Sequence, residues 1–246
     1  MPSPSLQRRA LLTGTVSALA LATGSAGART IHGALPWSPD AATAPDAVRP
    51  GAWVFFTAEE GAAVEAIVDR IFPPDPKTPG GKDAGCALFI DRQLAGPYGR
   101  SEGLYMRPPF LEATPSQGLQ SPLRPAGRYR GALAALDVHC RATFVGKTFA
   151  GLGADQQDKV LAGLETGTAR LEGADGRAFF EIVLTNTQEG FFADPIYGGN
   201  RDMAGWRMLG FPGVRYDYRD WVSRHGEAYT LPPVGIAGRP EWLRAG

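Results

Sequence analysis

The chain has 246 residues, with 25 Lys and Arg against 25 Asp and Glu, and it contains 32 Gly, 21 Pro and two Cys. This balanced charge, without a basic run, argues against a surface that binds nucleic acid or anionic lipid. Two cysteines cannot hold a four-thiolate iron–sulfur cluster, and the chain lacks the C-x-x-C-H motif that attaches c-type haem.

The first residues have the pattern of an export signal. Two adjacent arginines precede a short apolar run that ends near residue 22, and a small-x-small pattern follows it. The run is shorter than the roughly 20 apolar residues of a membrane-spanning helix. We therefore predict a cleavable twin-arginine signal peptide over residues 1–28, read by the Tat translocase, which delivers a folded protein to the periplasm. The residues that form this signal are Arg8, Arg9, Leu11, Leu12, Ala26 and Ala28.

The mature chain is predicted to start with an extended arm or linker over residues 29–52, because four prolines discourage a helix there. A helical domain is expected over residues 53–246. Its first helix is predicted at 58–72, where Thr57 and Glu60 form a capping box ahead of apolar residues at helical spacing.

Four more helices are predicted further along the chain. The second, at 84–94, is followed by a proline-rich surface loop at 98–127. The third, at 128–149, has the longest apolar repeat, so we expect it to be the central helix. Two shorter helices are predicted at 155–164 and 175–189.

No stretch alternates polar and apolar residues like a β-strand, and the G-x-G-x-x-G motif of dinucleotide-binding folds is absent. The sequence therefore predicts a mainly α fold. It is expected to be a single irregular helical domain with long loops rich in Gly, Pro and aromatic residues, preceded by a cleavable signal peptide. No further apolar stretch is long enough to cross a membrane, so we expect membrane contact only through partner proteins.

Cys86 and Cys140 are open to two interpretations. The periplasm is oxidising, so a disulfide between them is one expectation, and two free thiols are the other. Metal binding by Cys140 together with His139 is disfavoured, because adjacent residues of a helix point about 100° apart.

The most specific pattern in the chain is the segment at 189–213, EGFFADPIYGGNRDMAGWRMLGFPG. Its six glycines and five aromatic residues predict an ordered loop instead of a regular helix or strand. Together with FFT at 55–57 and IDRQLAGPYG at 90–99, this segment resembles the gluconate 2-dehydrogenase subunit 3 family. The resemblance runs from about residue 55 to residue 213.

This resemblance implies an accessory small subunit of a membrane-bound, flavin-dependent sugar or sugar-acid dehydrogenase. In such complexes a glucose-methanol-choline-type flavoprotein carries FAD, with or without an iron–sulfur cluster, and performs the oxidation. A c-type cytochrome subunit carries haem c and passes the electrons on. The resemblance therefore implies no cofactor, metal or catalytic residue in this chain. It also implies that the twin-arginine signal exports the folded flavoprotein as a passenger.

The aromatic and polar residues of the 189–213 segment are candidates either for contact with the flavoprotein or for the core of the segment itself. Trp206 and Arg201 are the favoured contact residues. The full set of candidate interface residues is Phe191, Phe192, Tyr197, Asn200, Arg201, Asp202, Trp206 and Phe211.

Two other functions remain as alternatives. In a free-standing periplasmic sugar-binding protein, Trp206 would stack on a sugar while Asp194 and Asn200 bind its hydroxyl groups. In an autonomous enzyme, charged residues of the segment would form an acid–base set. That set would consist of Glu189, Asp194, Arg201 and Asp202. The simpler interpretation is that the Asp residues cap backbone N–H groups and the Arg holds the shape of the loop.

Overall fold

The first helix begins where its capping box predicts. The computed structural model describes residues 45–111, 114–117, 120–215 and 218–238. In it, Oγ1 of Thr57 accepts the N–H of Glu60 (3.2 Å), and the Glu60 carboxylate accepts the N–H of Thr57 (2.9 Å). The predicted signal peptide, with Arg8 and Arg9, and residues 29–44 of the predicted arm lie outside the described residues.

Six α-helices and no β-strand occur in the described ranges, so the mainly α fold is confirmed there. Helices α1 to α5 match the five helices predicted from the sequence, and α6 lies within the segment predicted as a loop. None of these described helices has the length and apolar character needed to span a membrane. The helices are α1 (Ala58–Ile71), α2 (Cys86–Ala95), α3 (Pro125–Thr143), α4 (Ala154–Thr166), α5 (Gly176–Phe192) and α6 (Ala204–Leu209).

Helix α5 is the centre of the fold, because it packs against α1, α2, α3, α4 and α6. The prediction that α3 is the central helix is therefore wrong. Helix α5 buries seven of its residues, including Phe179, Val183 and Thr187. Helix α3 is longer but buries only five, including Tyr129 and Leu136, and it leaves a residue as apolar as Val138 exposed to solvent.

Helix α3 is shifted toward the N-terminus relative to its predicted range of 128–149. It begins with Pro125 at its first position, where the missing N–H of proline costs no helical hydrogen bond. It ends at Thr143, because Val145 and Gly146 take positive φ values of 53° and 79°. The apolar spacing continues past this end only because Phe149, in a separate 3₁₀ turn, packs into the same core.

Asp91 joins two of the segments that carry the family resemblance. Its carboxylate is fully buried and accepts the N–H groups of Val54, Phe55 and Phe56, each at 2.9 Å. Arg92 donates to the same carboxylate. These bonds satisfy the buried charge and hold the FFT segment against the start of IDRQLAGPYG. No local pattern around Asp91 predicts this long-range role.

The loop between α2 and α3 is largely irregular, as predicted, with one short 3₁₀ turn at Pro115–Gln117 among its described residues. It is attached to α5 through Asn186, whose Oδ1 accepts the hydroxyl of Tyr98 (3.2 Å) and that of Tyr129 (2.9 Å). Burial raises the pKa of Tyr129 well above its ordinary value, so this hydroxyl stays a neutral donor at physiological pH.

Candidate partner interface

The glycine-rich segment, residues 193–213, folds back over the C-terminal end of α5. It starts later than predicted, because residues 189–192 form the last turn of α5. Its entry is fixed by Asp194, whose carboxylate accepts the N–H of Ile196 (3.0 Å) and the N–H of Ile236 (2.6 Å). Asp194 therefore caps backbone groups, as the simpler interpretation of the sequence proposes.

Asn200 holds the middle of the glycine-rich segment. Its side chain is fully buried, with Oδ1 accepting the N–H of Gly205 (2.8 Å) and Nδ2 donating to the carbonyl oxygen of Ala193 (2.8 Å). Asn200, Asp202 and Met203 have φ values of 46°, 55° and 57°, a region that non-glycine residues seldom occupy. Such a backbone persists only where surrounding bonds determine it, and the Asn200 amide supplies two of them.

Two glycines allow the segment to lie directly on α5. A Cβ atom on Gly199 would collide with the carbonyl oxygen of Gly190, and one on Gly205 would collide with the carbonyl oxygen of Phe191. Both obstacles are backbone atoms of a central helix, which cannot move aside. The close approach therefore requires glycine at these two positions.

Trp206 is a core residue of the segment, contrary to its favoured place in the interface. Only 5% of the residue is exposed, and its indole N–H donates to the carbonyl oxygen of Phe192 (2.7 Å). Its ring packs edge-on against Phe211 at 5.2 Å between centroids. Phe191 and Asn200 are buried as well, so three of the eight candidate interface residues face the interior of the chain.

An apolar ridge covers the outer side of α6 and the turn after it. We use this name for Met208, Leu209 and Phe211, which are 46%, 64% and 45% exposed. Leu209 and Phe211 also border a shallow apolar depression of about 490 Å³ whose floor includes Phe192 and Trp206. Three neighbouring exposed apolar side chains on one short element are typical of a surface that contacts another protein.

A charged cleft of about 610 Å³ lies beside this ridge. One wall is the turn after α1, with Lys77 and Asp83, and the other is formed by Arg201, Asp202 and Arg207. All five side chains are exposed. We call this feature the basic cleft, because its three cations outnumber its two carboxylates, and it shares Met208 with the apolar ridge.

The sequence comparisons identify the relatives of this arrangement. Residues 58–213 match the family model described as gluconate 2-dehydrogenase subunit 3. This match covers well over half of the chain and contains all of α1 to α6 and the glycine-rich segment. The chain belongs to the gluconate 2-dehydrogenase subunit 3 family. The resemblance seen in the sequence is thereby confirmed. No curated protein and no solved structure gave a significant match.

The geometry of this subunit 3 family member disfavours a sugar site built on the glycine-rich segment. Trp206 is only 5% exposed, so too little of its ring is accessible to stack on a sugar. Asp194 and Asn200 already bind backbone groups of their own chain. The three residues needed for that site are therefore committed to holding the segment in shape.

The four residues of the proposed acid–base set do not line one common site. Glu189 accepts the side-chain amide of Asn186 (3.0 Å), and Asp194 binds two backbone N–H groups. Arg201 and Asp202 line the basic cleft, which neither Glu189 nor Asp194 borders. Two of the four residues thus have structural partners, and the other two face solvent in a different place.

Cys86 and Cys140 are both free thiols and both buried, so the disulfide considered from the sequence is not formed in the structure. Each lies on the inward face of its own helix and packs into the apolar core. Burial raises the pKa of Cys86 to about 12 and that of Cys140 to about 11. Neutral thiols of this kind act as small apolar side chains and are poor nucleophiles.

Several residues of the ridge and the cleft could not be predicted from the sequence. Arg207, Met208 and Leu209 stand inside the glycine-rich segment, but α6 has six residues and is too short to show a helical repeat. Lys77 and Asp83 lie far earlier in the chain, and only the tertiary fold brings them opposite Arg201.

Proposed function

We propose that this protein is the non-catalytic small subunit of a heteromeric, membrane-bound, FAD-dependent dehydrogenase of the gluconate 2-dehydrogenase type. The observation that carries the proposal is the family match over residues 58–213. In the complex, a glucose-methanol-choline-type flavoprotein binds FAD, with or without an iron–sulfur cluster, and oxidises the sugar or sugar acid. A c-type cytochrome subunit holds haem c and accepts the electrons.

The use of polar side chains in the glycine-rich segment supports an accessory role. Asp194 and Asn200 bind backbone groups of the chain itself, so their polar atoms stabilise a shape and are not presented to a substrate. Among the described residues, no group of three or more His, Cys, Asp and Glu side chains is arranged to hold a metal ion. The role proposed for the segment is therefore to build a surface.

The apolar ridge supports a protein partner for that surface. Met208, Leu209 and Phe211 are exposed. Helix α6, which carries the first two, is held against the end of α5 by Trp206 and Gly205. A rigid element that presents apolar side chains loses little conformational entropy on binding. Of the candidate interface residues, the exposed ones keep this role in the proposal: Tyr197, Arg201, Asp202 and Phe211.

Export of the flavoprotein is the second function that we propose for this chain. The twin-arginine signal over residues 1–28 directs this chain to the Tat translocase, which accepts folded proteins. The flavoprotein crosses as a folded passenger that is already bound to the small subunit. The complex then resides in the periplasm, attached to the cytoplasmic membrane through its partners.

This proposal is tested by the double variant Arg8→Lys, Arg9→Lys, which keeps the charge of the signal but removes the arginine pair. We expect both subunits to accumulate in the cytoplasm, with dye-linked dehydrogenase activity retained there. The measurement is activity and immunodetection of both chains in cytoplasmic, periplasmic and membrane fractions.

The matched control is Arg141→Lys, Arg177→Lys, which changes two exposed arginines of α3 and α5 and should leave export unchanged. If the flavoprotein still reaches the periplasm while the Arg8, Arg9 variant remains inside, the passenger model is wrong. If no flavoprotein co-purifies with the native chain, the subunit assignment itself fails.

A further inference from the structure

The basic cleft is lined by three cations, Lys77, Arg201 and Arg207, and by two carboxylates, Asp83 and Asp202, so the charges of its described lining leave an excess of one positive charge. Elsewhere in the described part of the protein, Arg70, Arg130 and Arg177 each bind a carboxylate of the same chain. Within those same described residues, Lys77, Arg201 and Arg207 make no ion pair. Three cations therefore face the same solvent-filled cleft, and none of them is paired with a carboxylate of the described residues.

The two walls of the cleft are held in fixed positions. On one wall, the Asp75 carboxylate accepts the N–H groups of Lys77 (2.7 Å) and Thr78 (2.8 Å), which defines the turn after α1. On the other wall, the N–H of Arg201 donates to the carbonyl oxygen of Ala84 (3.0 Å). Because this bond joins the second wall to the chain that follows the first, the backbone positions of the two walls are set before any ligand binds.

The side chains of the cleft indicate the chemistry of its occupant. Guanidinium groups match planar carboxylates, with which they form paired, charge-assisted hydrogen bonds. The volume of about 610 Å³ is large enough for several side chains of a peptide segment. Ala204 and Met208 add apolar surface on one side, and Met208 continues into the apolar ridge.

We propose that the basic cleft binds a carboxylate-rich segment of the flavoprotein subunit and so forms the electrostatic part of the interface next to the apolar ridge. This inference rests on the proposed function, since it takes its partner from there. Exposed charges of this kind act mainly on the rate of association and make binding sensitive to salt, while the ridge supplies apolar burial.

The test uses the full complex, obtained by co-expressing this chain with the flavoprotein and measuring subunit dissociation over a series of NaCl concentrations. For the native complex we expect affinity to fall as salt rises. For Arg201→Gln, Arg207→Gln we expect affinity about tenfold weaker at low salt and a much flatter salt dependence. Lys77→Gln, on the opposite wall, should change both quantities in the same direction by a smaller amount.

The matched control is Arg141→Gln, Arg177→Gln, which removes two exposed charges that already pair with Asp137 and Glu181. It should leave affinity and salt dependence unchanged. If the native complex forms but the cleft variants behave like this control, the cleft inference is wrong while the subunit assignment stands. If no complex forms with the native chain, the proposed function fails first.

A second arm distinguishes the source of the carboxylate. Sodium gluconate and NaCl are compared at equal ionic strength. Equal weakening of the native complex by the two salts supports an acidic protein segment as the occupant. Displacement by gluconate at far lower concentration than chloride, lost in the Arg201, Arg207 variant, would assign the cleft to a free sugar acid and overturn the proposal.

Discussion

Helices α1 to α5 bury apolar side chains against one another, whereas the glycine-rich segment is fixed by hydrogen bonds and close backbone contacts. In the helical core, side chains such as Phe179 and Leu164 have almost no exposed surface, and their burial provides the stabilisation. In the segment, Asp194 and Asn200 bind backbone groups, and Gly199 lies against the backbone of α5.

This difference has a consequence for what each region can tolerate. A packed core accepts a substitution of similar volume, because neighbouring side chains adjust their rotamers. A backbone that lies on another backbone has no rotamers to adjust. The core should therefore respond to lost volume, and the segment should respond to added volume, even a single methyl group.

The largest expected effect is in the core. Phe179, which is 2% exposed and packs edge-on against Tyr129 at 5.6 Å, should lose about 4 kcal/mol of unfolding free energy when changed to Ala. Phe179→Leu keeps much of the volume and should cost only about 1 kcal/mol. Urea unfolding followed by circular dichroism measures both. Equal losses for the two variants would show that the core depends on shape as strictly as the segment does.

An intermediate effect is expected in the segment. Gly199→Ala adds one methyl group, which would strike the carbonyl oxygen of Gly190, and should cost about 3 kcal/mol. Gly131→Ala, in the interior of α3, meets no atom within 4 Å and should stabilise the protein by about 0.5–1 kcal/mol. The same unfolding measurement applies, and opposite signs for this matched pair are the decisive result. A neutral Gly199→Ala would mean that the segment can lift away from α5.

The smallest effect at neutral pH is expected at the two thiols, which belong to the core. At neutral pH an alkylating reagent should label neither Cys86 nor Cys140 in the folded protein and both in urea, since both are buried. Their pKa values are raised from 9.0 to about 12 and about 11, so the unfolded chain loses these protons first. The free energy of unfolding that comes from burying these two neutral thiols is therefore fully present below about pH 9 and decreases as pH rises toward 11 and 12.

Labelling followed by mass spectrometry checks the thiols, and urea midpoints at neutral and alkaline pH check the linkage to stability. Non-reduced peptides from the exported protein should show both cysteines separate. A Cys86–Cys140 linked peptide would contradict this prediction and restore the disulfide.

The sequence predicted local features of the helical core well, because their signals lie close together in the chain. Thr57 and Glu60 stand three residues apart, so the start of α1 could be located from the sequence alone. The end of α3 was misplaced because apolar spacing does not distinguish a helix from a helix followed by a 3₁₀ turn that packs on the same core. Phe149 belongs to that turn.

The candidate site was less predictable, because its properties depend on distant partners. Nothing in the composition of the glycine-rich segment shows that Trp206 points inward and Leu209 outward. Asp91 looks like an ordinary helical residue until Phe55 and Phe56, more than 30 positions earlier, are seen to donate to it. The basic cleft likewise exists only once Lys77 and Arg201 have been brought together by the fold.

The hydrogen bond from the N–H of Ile236 to the Asp194 carboxylate can form only after Ile236 has been synthesised. The two residues are 42 positions apart, and at about 5–20 residues per second the ribosome adds the second roughly 2–8 s after the first. All of α1 to α5 has been synthesised by the time Asp194 appears, so the helical core can assemble before its carboxylate has both donors. Completion of the glycine-rich segment is therefore a late event, because it needs Ile236, which is added after every residue of the helical core.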